Sequence, residues 1–392
     1  MTGVLTQVAD LVDPDTHRDR EELHTPVSLA VHLDPVGYQT RPHLQVMAAE
    51  LVQLEAGTFD RLLLNTAPQT GKTRTATEWG SFWWLCRHPT ARIVIGSYGD
   101  DRAQRIGKAI RRLVEHYGAH YGLVLERGSA AVKDWDLTTG GGVRSVGVGS
   151  AITGFTADLV IIDDPTKSRA EAESQPRRDA IFDWYSADIL SRQQPETRMM
   201  IVQTPWHPDD LRARVIAQEG DLVNGGRWRV VTMPALCEDP ANDPLGRGFG
   251  EPLPHPKIRD GDIVRLTRHW ERIRSSQTVR DWRALWQCDP KAPEGALVSW
   301  ALLRERRCYE PGRGGCSQPR TIAVSIDPSG GGRDTAGIVG GFLGEDGRLH
   351  ITHDYSGVMS SEMWGRRACE LAAETDADRF VIEKNYGGDM AL

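Results

Sequence analysis

The chain has 392 residues, 39% of them hydrophobic and 26% charged, and a formal charge of −7. That is ordinary globular composition with room for two or three domains, and it excludes a global basic field, so any nucleic-acid contact must be a local groove. The six cysteines are scattered without C-x-x-C or Cys/His ligand spacing, which reads as free thiols in a reducing cytosol, and no stretch approaches the ~18 apolar residues of a membrane span.

Residues 1–25 are polar and read as a mobile or packing arm. From about residue 60 the pattern turns α/β. "RLLLNT" (61–66) is an apolar run of strand length, residues 72–87 suit a helix carrying Trp79, Phe82, Trp83 and Leu85, and "RIVIGSY" (92–98) is a second strand. A helix over 100–117 presents Ile106, Ile110, Leu113 and Val114. "ADLVIIDDP" (157–165) and "TRMMIVQTP" (197–205) are two further buried strands. Apolar strands alternating with helices predict a parallel sheet with right-handed crossovers. Between 206 and 300 the pattern weakens. Pro and Gly cluster at 240–256, an expected exposed loop, and a helical stretch is expected over 267–288. After linker-like stretches at 291–300 and 309–320, strands are expected at 320–328, 335–343, 348–355 and 379–384, with a helix over about 360–375 before the last.

Two stretches carry chemistry in the first part. "NTAPQTGKT" (65–73) follows a strand and precedes a helix, as a phosphate loop must for its backbone N–H groups to converge on phosphates. Gly71, Lys72 and Thr73 stand where G-K-[ST] belongs, but Thr66 occupies the position of the first glycine. Lys72 is the candidate for the β/γ-phosphates and Thr73 for Mg²⁺. Pro68, Gln69 and Thr70 complete the loop, with Pro68 stiffening a turn that has lost its glycine. Taken alone, G-K-T does not decide. "LVIIDDP" supplies the second part, an aspartate at the tip of a buried strand: Asp163 suits the metal shell and Asp164 the attacking water. Gln203 and Thr204 end a neighbouring strand, where a polar residue can sense the γ-phosphate. Trp206 and His207 suit core and surface equally.

These stretches, in order with "SYGDDRAQRIGKAIR" (97–111), "GSAITGFTADLVIIDDP" (149–165), "IVQTPWHPDDL" (201–211), "DWRALWQCDP" (281–290), "VSIDPSGGGRDTAGIV" (324–339) and "FVIEKNYGGDM" (380–390), resemble the large subunit of the terminase of tailed bacteriophages over roughly residues 40–392. The resemblance implies an α/β chain: a P-loop NTPase parallel-sheet domain followed by a partial RNase H-like nuclease domain. It places an N-terminal arm over 1–35, the ATPase domain over 36–300 with a lid and linker subdomain from about 206, a linker over 301–319 and the nuclease over 320–392. Terminases commonly lack the first Walker glycine, so the loop is expected to work. Thr204 matches the coupling motif. Gln39 and His43 fall in the adenine-recognition segment. Many family members carry an arginine in the phosphate loop where this chain has Gln69 or Thr70. The finger is then expected elsewhere, and Arg111 matches best, acting on a neighbour's ATP in a homo-oligomeric ring, unless with Arg112 it is only a solvated basic face.

The resemblance further implies Asp327 and Glu383 as nuclease metal ligands, with Asp334 and Asp389 close by, binding Mg²⁺ or Mn²⁺. The family's third acidic ligand comes from a later element than this sequence contains, which is expected of a fragment, of a split or interrupted gene, or of a domain completed by another polypeptide; an incomplete nuclease that binds Mg²⁺ or Mn²⁺ weakly and cuts DNA poorly or not at all is therefore the expectation. ATP is the implied cofactor; double-stranded DNA, the terminase small subunit and the capsid portal protein are the implied partners, with no membrane. The implied location is the host cytoplasm, outside the mature virion. The rival readings are a non-catalytic remnant that binds DNA or packaging partners, and a helicase-like ATPase.

Overall fold

Buried strands that alternate with helices bury both faces, and their side chains must divide between two cores. The computed structural model describes residues 20–127, 134–150, 155–290, 317–327 and 335–382, which fall into two compact units divided between Leu297 and Val298. In the first unit seven strands form one sheet: β1 (Arg61–Thr66), β2 (Arg92–Ser97), β3 (Asp134–Asp136), β4 (Gly142–Gly147), β5 (Ala157–Asp163), β6 (Gln193–Gln203) and β7 (Trp228–Met233). Their spatial order is β3-β4-β2-β5-β6-β1-β7. All neighbours pair in parallel except β3 with β4.

Alternation along each strand assigns the cores. Leu62, Leu64, Ile93, Ile95, Leu159, Ile161, Met200 and Val202 join one cluster, with Met47, Leu51, Phe82, Trp83, Ile106 and Ile110 from the helices α1 (Pro26–Leu33), α2 (Pro42–Glu55), α3 (Gly80–Arg87) and α4 (Asp100–Tyr117). Leu63, Val94, Val160, Ile162, Met199 and Ile201 point the other way. After the short α5 (Arg169–Glu173), they pack with Ile181 of α6 (Gln175–Asp183), Trp184 of the π-helical Trp184–Ile189, and Leu211 and Val215 of α7 (Leu211–Glu219).

The register decides where function can sit. Asn65 lies opposite Gln203, and Asp163 opposite both Val202 and Ser97. Strands β1, β2, β5 and β6 therefore end level, and the loops that follow them share one edge of the sheet, where open α/β sheets bind ligands.

Several sequence expectations change. Residues expected to belong to an arm are core: Leu23, Leu29 and Ala30 are fully buried, and Trp83 Nε1 donates to the Leu23 carbonyl at 2.7 Å. The helix expected over 72–87 starts as a π-helix, Thr73–Trp79, before α3. Strand β7, not expected from the sequence, pairs with β1, so part of the segment assigned to a lid belongs to the main sheet. The loop at 240–256 is not wholly exposed. Arg247 and Asp243 form a buried ion pair at 2.7 Å, and Leu253 and His255 are buried. The helical stretch is split. Helix α8 (Ile263–Ser276) ends, and Thr278 caps a new turn by accepting from Asp281 N at 3.1 Å.

In the second unit β8 (Pro319–Asp327), β9 (Thr335–Gly344) and β10 (Leu349–Asp354) form an antiparallel meander, to which the short β11 (Gly357–Val358) adds. After α9 (Ser361–Thr375), β12 (Arg379–Ile382) pairs in parallel with β8. Val324, Ile326, Ala336 and Ile338 pack with Trp364, Ala368 and Leu371 of α9. Leu343, Leu349, Ile351 and Val381 are exposed. Among the described residues no helix is long and apolar enough to cross a membrane.

Candidate active site

The loop after β1 explains how it does without its first glycine. Among the described residues, the loop positions with positive φ are Gln69 at 64° and Gly71 at 89°; Thr66 is not one of them. Thr66 instead ties the loop down, with Oγ1 donating to the Met233 carbonyl at 3.2 Å and lying 3.3 Å from Thr70 Oγ1. Pro68 followed by a left-handed residue is the pattern of a type II turn, and Thr70 Oγ1 donates to the Ala67 carbonyl at 2.8 Å to close it. Gly71 is required both by its φ and by crowding, because a Cβ there would meet Pro256 Cγ at 3.1 Å.

His43 is fully buried and is not among the residues lining the cleft above the loop. It lies beneath it, with Nε2 donating to the Thr70 carbonyl at 2.8 Å. Burial holds its pKa down to about 4, against the Thr70 hydrogen bond, which favours the charged form. Gln39 does line the cleft, with its amide 3.4 Å from the Pro35 carbonyl.

Lys72 reaches across to the neighbouring strands. Its Nζ donates to Thr204 Oγ1 at 2.7 Å and lies 3.1 Å from Asp164 Oδ2. Thr204 Oγ1 in turn donates to the Thr66 carbonyl at 3.3 Å, and Thr204 N donates to Asp164 Oδ1 at 3.0 Å. Asp164 sits at φ 44°, a conformation that costs energy for a residue with a Cβ. Its N–H donates to the Val202 carbonyl at 2.8 Å, locking β5 to β6 at the turn. Asp163 is fully buried, and its two oxygens are served from one helix: Thr73 Oγ1 donates to Oδ1 at 3.0 Å and Thr77 Oγ1 to Oδ2 at 2.6 Å. Burial and then the Asp164 charge push the Asp163 carboxyl up; Thr77, Lys72 and Arg102 pull against them.

These residues fit Mg²⁺. The ion takes oxygen ligands in an octahedron at about 2.1 Å, so adjacent ligands stand about 3 Å apart, with phosphates and water completing the shell. Thr73 Oγ1 and Asp163 Oδ1 have that separation. Among the described residues there is no group of three or more His, Cys, Asp or Glu able to hold an ion by itself.

Above the loop lies a cleft of about 1050 Å³, at the upper end for ligand pockets (about 300–1,000 Å³). It is lined by Tyr38, Gln39 and Arg41, by the phosphate loop and Arg102, and by the far segment that carries Lys257, Arg259 and Arg265. Arg41 ties that segment down by donating to the carbonyls of Ile258 and Pro256 at 2.8 and 3.2 Å. Arg111 is not among the lining residues. It pairs with Glu115 at 2.9 Å, about 13 Å along α4 from Arg102 by helical rise. Sequence reading missed Arg102, although it stands in the quoted "SYGDDRAQR", and Thr77, four residues after Thr73. In the second unit Asp327 ends β8; Asp334, Glu383 and Asp389 lie outside the described residues.

A phosphate loop, a buried strand-tip aspartate and a threonine just past the end of β6 define the class as a P-loop nucleotide-binding domain. The family model described as terminase large subunit, T4likevirus-type, N-terminal, matches residues 63–298, and the chain belongs to that family. No curated protein sequence matches it. Among solved structures, the large terminase of bacteriophage HK97 is 14% identical over 89% of this chain and 71% of its own, with a TM-score of 0.45. The large terminase of a thermophilic bacteriophage, in complex with ATP-γ-S, is 10% identical over 90% and 79%, TM-score 0.36. The large terminase ATPase domain of Thermus phage P74-26 is 16% identical over 68% and 99%, TM-score 0.40.

His43 gives the site a pH signature. The unfolded chain takes up its proton near pH 6.5, the folded chain only near 4. Between those values the unfolded state binds more protons, so stability falls as pH falls, by up to about 1.4 kcal/mol per unit. His43→Gln keeps an N–H for Thr70 without the titration. Urea midpoints from pH 7 to 4 should fall less steeply in the variant than in the wild type; parallel profiles would refute the assignment.

Proposed function

We propose that the chain is the ATP-driven motor subunit that moves viral double-stranded DNA into procapsids. The observation that carries this reading is the joining of three strand tips through one lysine: Lys72 from the loop after β1, Asp164 after β5 and Thr204 after β6. Lys72 presents positive charge to the β/γ-phosphates, and the N–H groups around Gly71 cradle them. Thr73 and Asp163 would hold Mg²⁺, which neutralises phosphate charge when bound. Asp164, held in place by Lys72 and the Thr204 amide, orients the attacking water. Because Thr204 also holds Lys72, a change at the γ-phosphate is felt at the end of β6, which gives hydrolysis a mechanical outlet. Gln39, which lines the cleft, is the candidate contact for the base. Arg111, on the outer part of α4, is the candidate finger toward a neighbour in a ring.

The same reading makes the second unit a metal-dependent endonuclease that cuts concatemeric DNA, with Asp327 and Glu383 holding Mg²⁺ or Mn²⁺. Support comes from Asp327 at the tip of β8, beside the parallel β12. The partners are the DNA duplex, the small subunit and the portal protein, in the host cytoplasm.

Lys72→Ala and Asp163→Ala should each cut ATP turnover at least ~10²-fold, the scale of removing one preorganised charge-stabilising group. Wild-type turnover in a folded Lys72→Ala chain would sink the site. For the second unit, cleavage of plasmid DNA with Mn²⁺ should vanish in Asp327→Ala; cleavage that persists unchanged would assign it to another site.

A further inference from the structure

Helix α4 delivers a second cation to the phosphate site. Its start is fixed by Asp100, whose Oδ1 accepts from Gly147 N at 2.7 Å and Ser150 Oγ at 2.9 Å. Gly147 lets the strand end lie against this turn, since a Cβ there would come within 2.4 Å of Asp100 N. Two residues on, the Arg102 guanidinium stands 3.9 Å from Asp163 Oδ1 and 3.5 Å from Thr73 Oγ1, the two oxygens that suit the metal. Its side chain is 34% exposed and lines the cleft, so it has room to follow a ligand. Lys72, by contrast, is buried and committed to Thr204 and Asp164. With Lys72 held by an aspartate, Arg102 is the guanidinium beside the metal-site oxygens that can add charge at the outer oxygens of a triphosphate, where charge accumulates during transfer.

We propose that Arg102 reads the γ-phosphate within its own chain, donating to the γ-phosphoryl oxygens of ATP and making the site distinguish triphosphate from diphosphate. The inference rests on the ATP reading above and adds a residue that reading did not use. A guanidinium suits the task because its fork of N–H donors matches phosphate oxygens and stays charged. Arg102 carries the diphosphate–triphosphate contrast, while the loop and Lys72 carry the affinity common to both nucleotides.

The test is calorimetric binding of Mg·ATPγS and Mg·ADP to the full chain, comparing wild type with Arg102→Ala and Arg102→Gln. Loss of a charge-assisted contact should weaken ATPγS by at least about tenfold in both variants and leave ADP within about twofold. An equal loss for both nucleotides, or none for either, overturns the proposal. If the wild type binds neither nucleotide, the ATP reading falls and this inference with it. If it binds both and the variants keep the wild-type ratio, only the role of Arg102 falls. Adding Asp163→Ala chains, which retain Arg102, should not restore turnover to Arg102→Ala chains; restoration would place the arginine in trans and contradict action within its own chain.

Discussion

The site of the first unit depends on Lys72 being buried where β1, β5 and β6 end level. A lysine that leaves water needs partners that offset its desolvation, and Asp164 and Thr204 supply them only because the parallel register brings Asp163 opposite Val202 and Asn65 opposite Gln203. A slip of one residue along β6 would reverse its side chains between the two cores and remove Thr204 from the lysine. The packing of Met200 and Val202 on one side, and Met199 and Ile201 on the other, thus also sets the active-site geometry.

Backbone strain is present at the same edge. Gln69 and Asp164 hold positive φ without being glycine, and the helix after the loop begins with π-type turns. Such conformations persist where surrounding bonds over-determine them, and they recur at functional sites. Here the bonds are visible. Thr70 closes the turn around Gln69, the Val202 carbonyl and Thr204 amide hold Asp164, and Thr73 and Thr77 both reach Asp163 from the π-helical stretch.

Much of this was legible in the sequence. Strands β1, β2, β5 and β6 are continuous apolar runs because they are buried on both faces, and the residues at their tips are the polar ones that interrupt those runs. Strands β4 and β7 escaped notice because "GVRSVG" and "WRVVTM" are short and mix polar with apolar residues. The arginine choice shows a different limit. Arg102, Arg105, Arg111 and Arg112 look alike on a helical pattern; that Arg102 is the one beside Thr73 and Asp163 depends on where β2 stops and how Asp100 anchors the helix. His43 lies in the stretch associated with the base, yet the proline-started α2 carries it beneath the loop, where it supports Thr70. Glu383, Asp334 and Asp389, expected near a nuclease metal site from the sequence, lie outside the described residues.

The central claim is that Thr73 and Asp163 take a metal that arrives with nucleotide. Mn²⁺ binding followed by electron paramagnetic resonance, with and without ATPγS, tests it most directly, because it separates nucleotide-dependent from nucleotide-independent metal. The account predicts one additional Mn²⁺ per chain that appears only with ATPγS and is lost in Asp163→Asn. Nucleotide-dependent Mn²⁺ uptake that survives Asp163→Asn would contradict it.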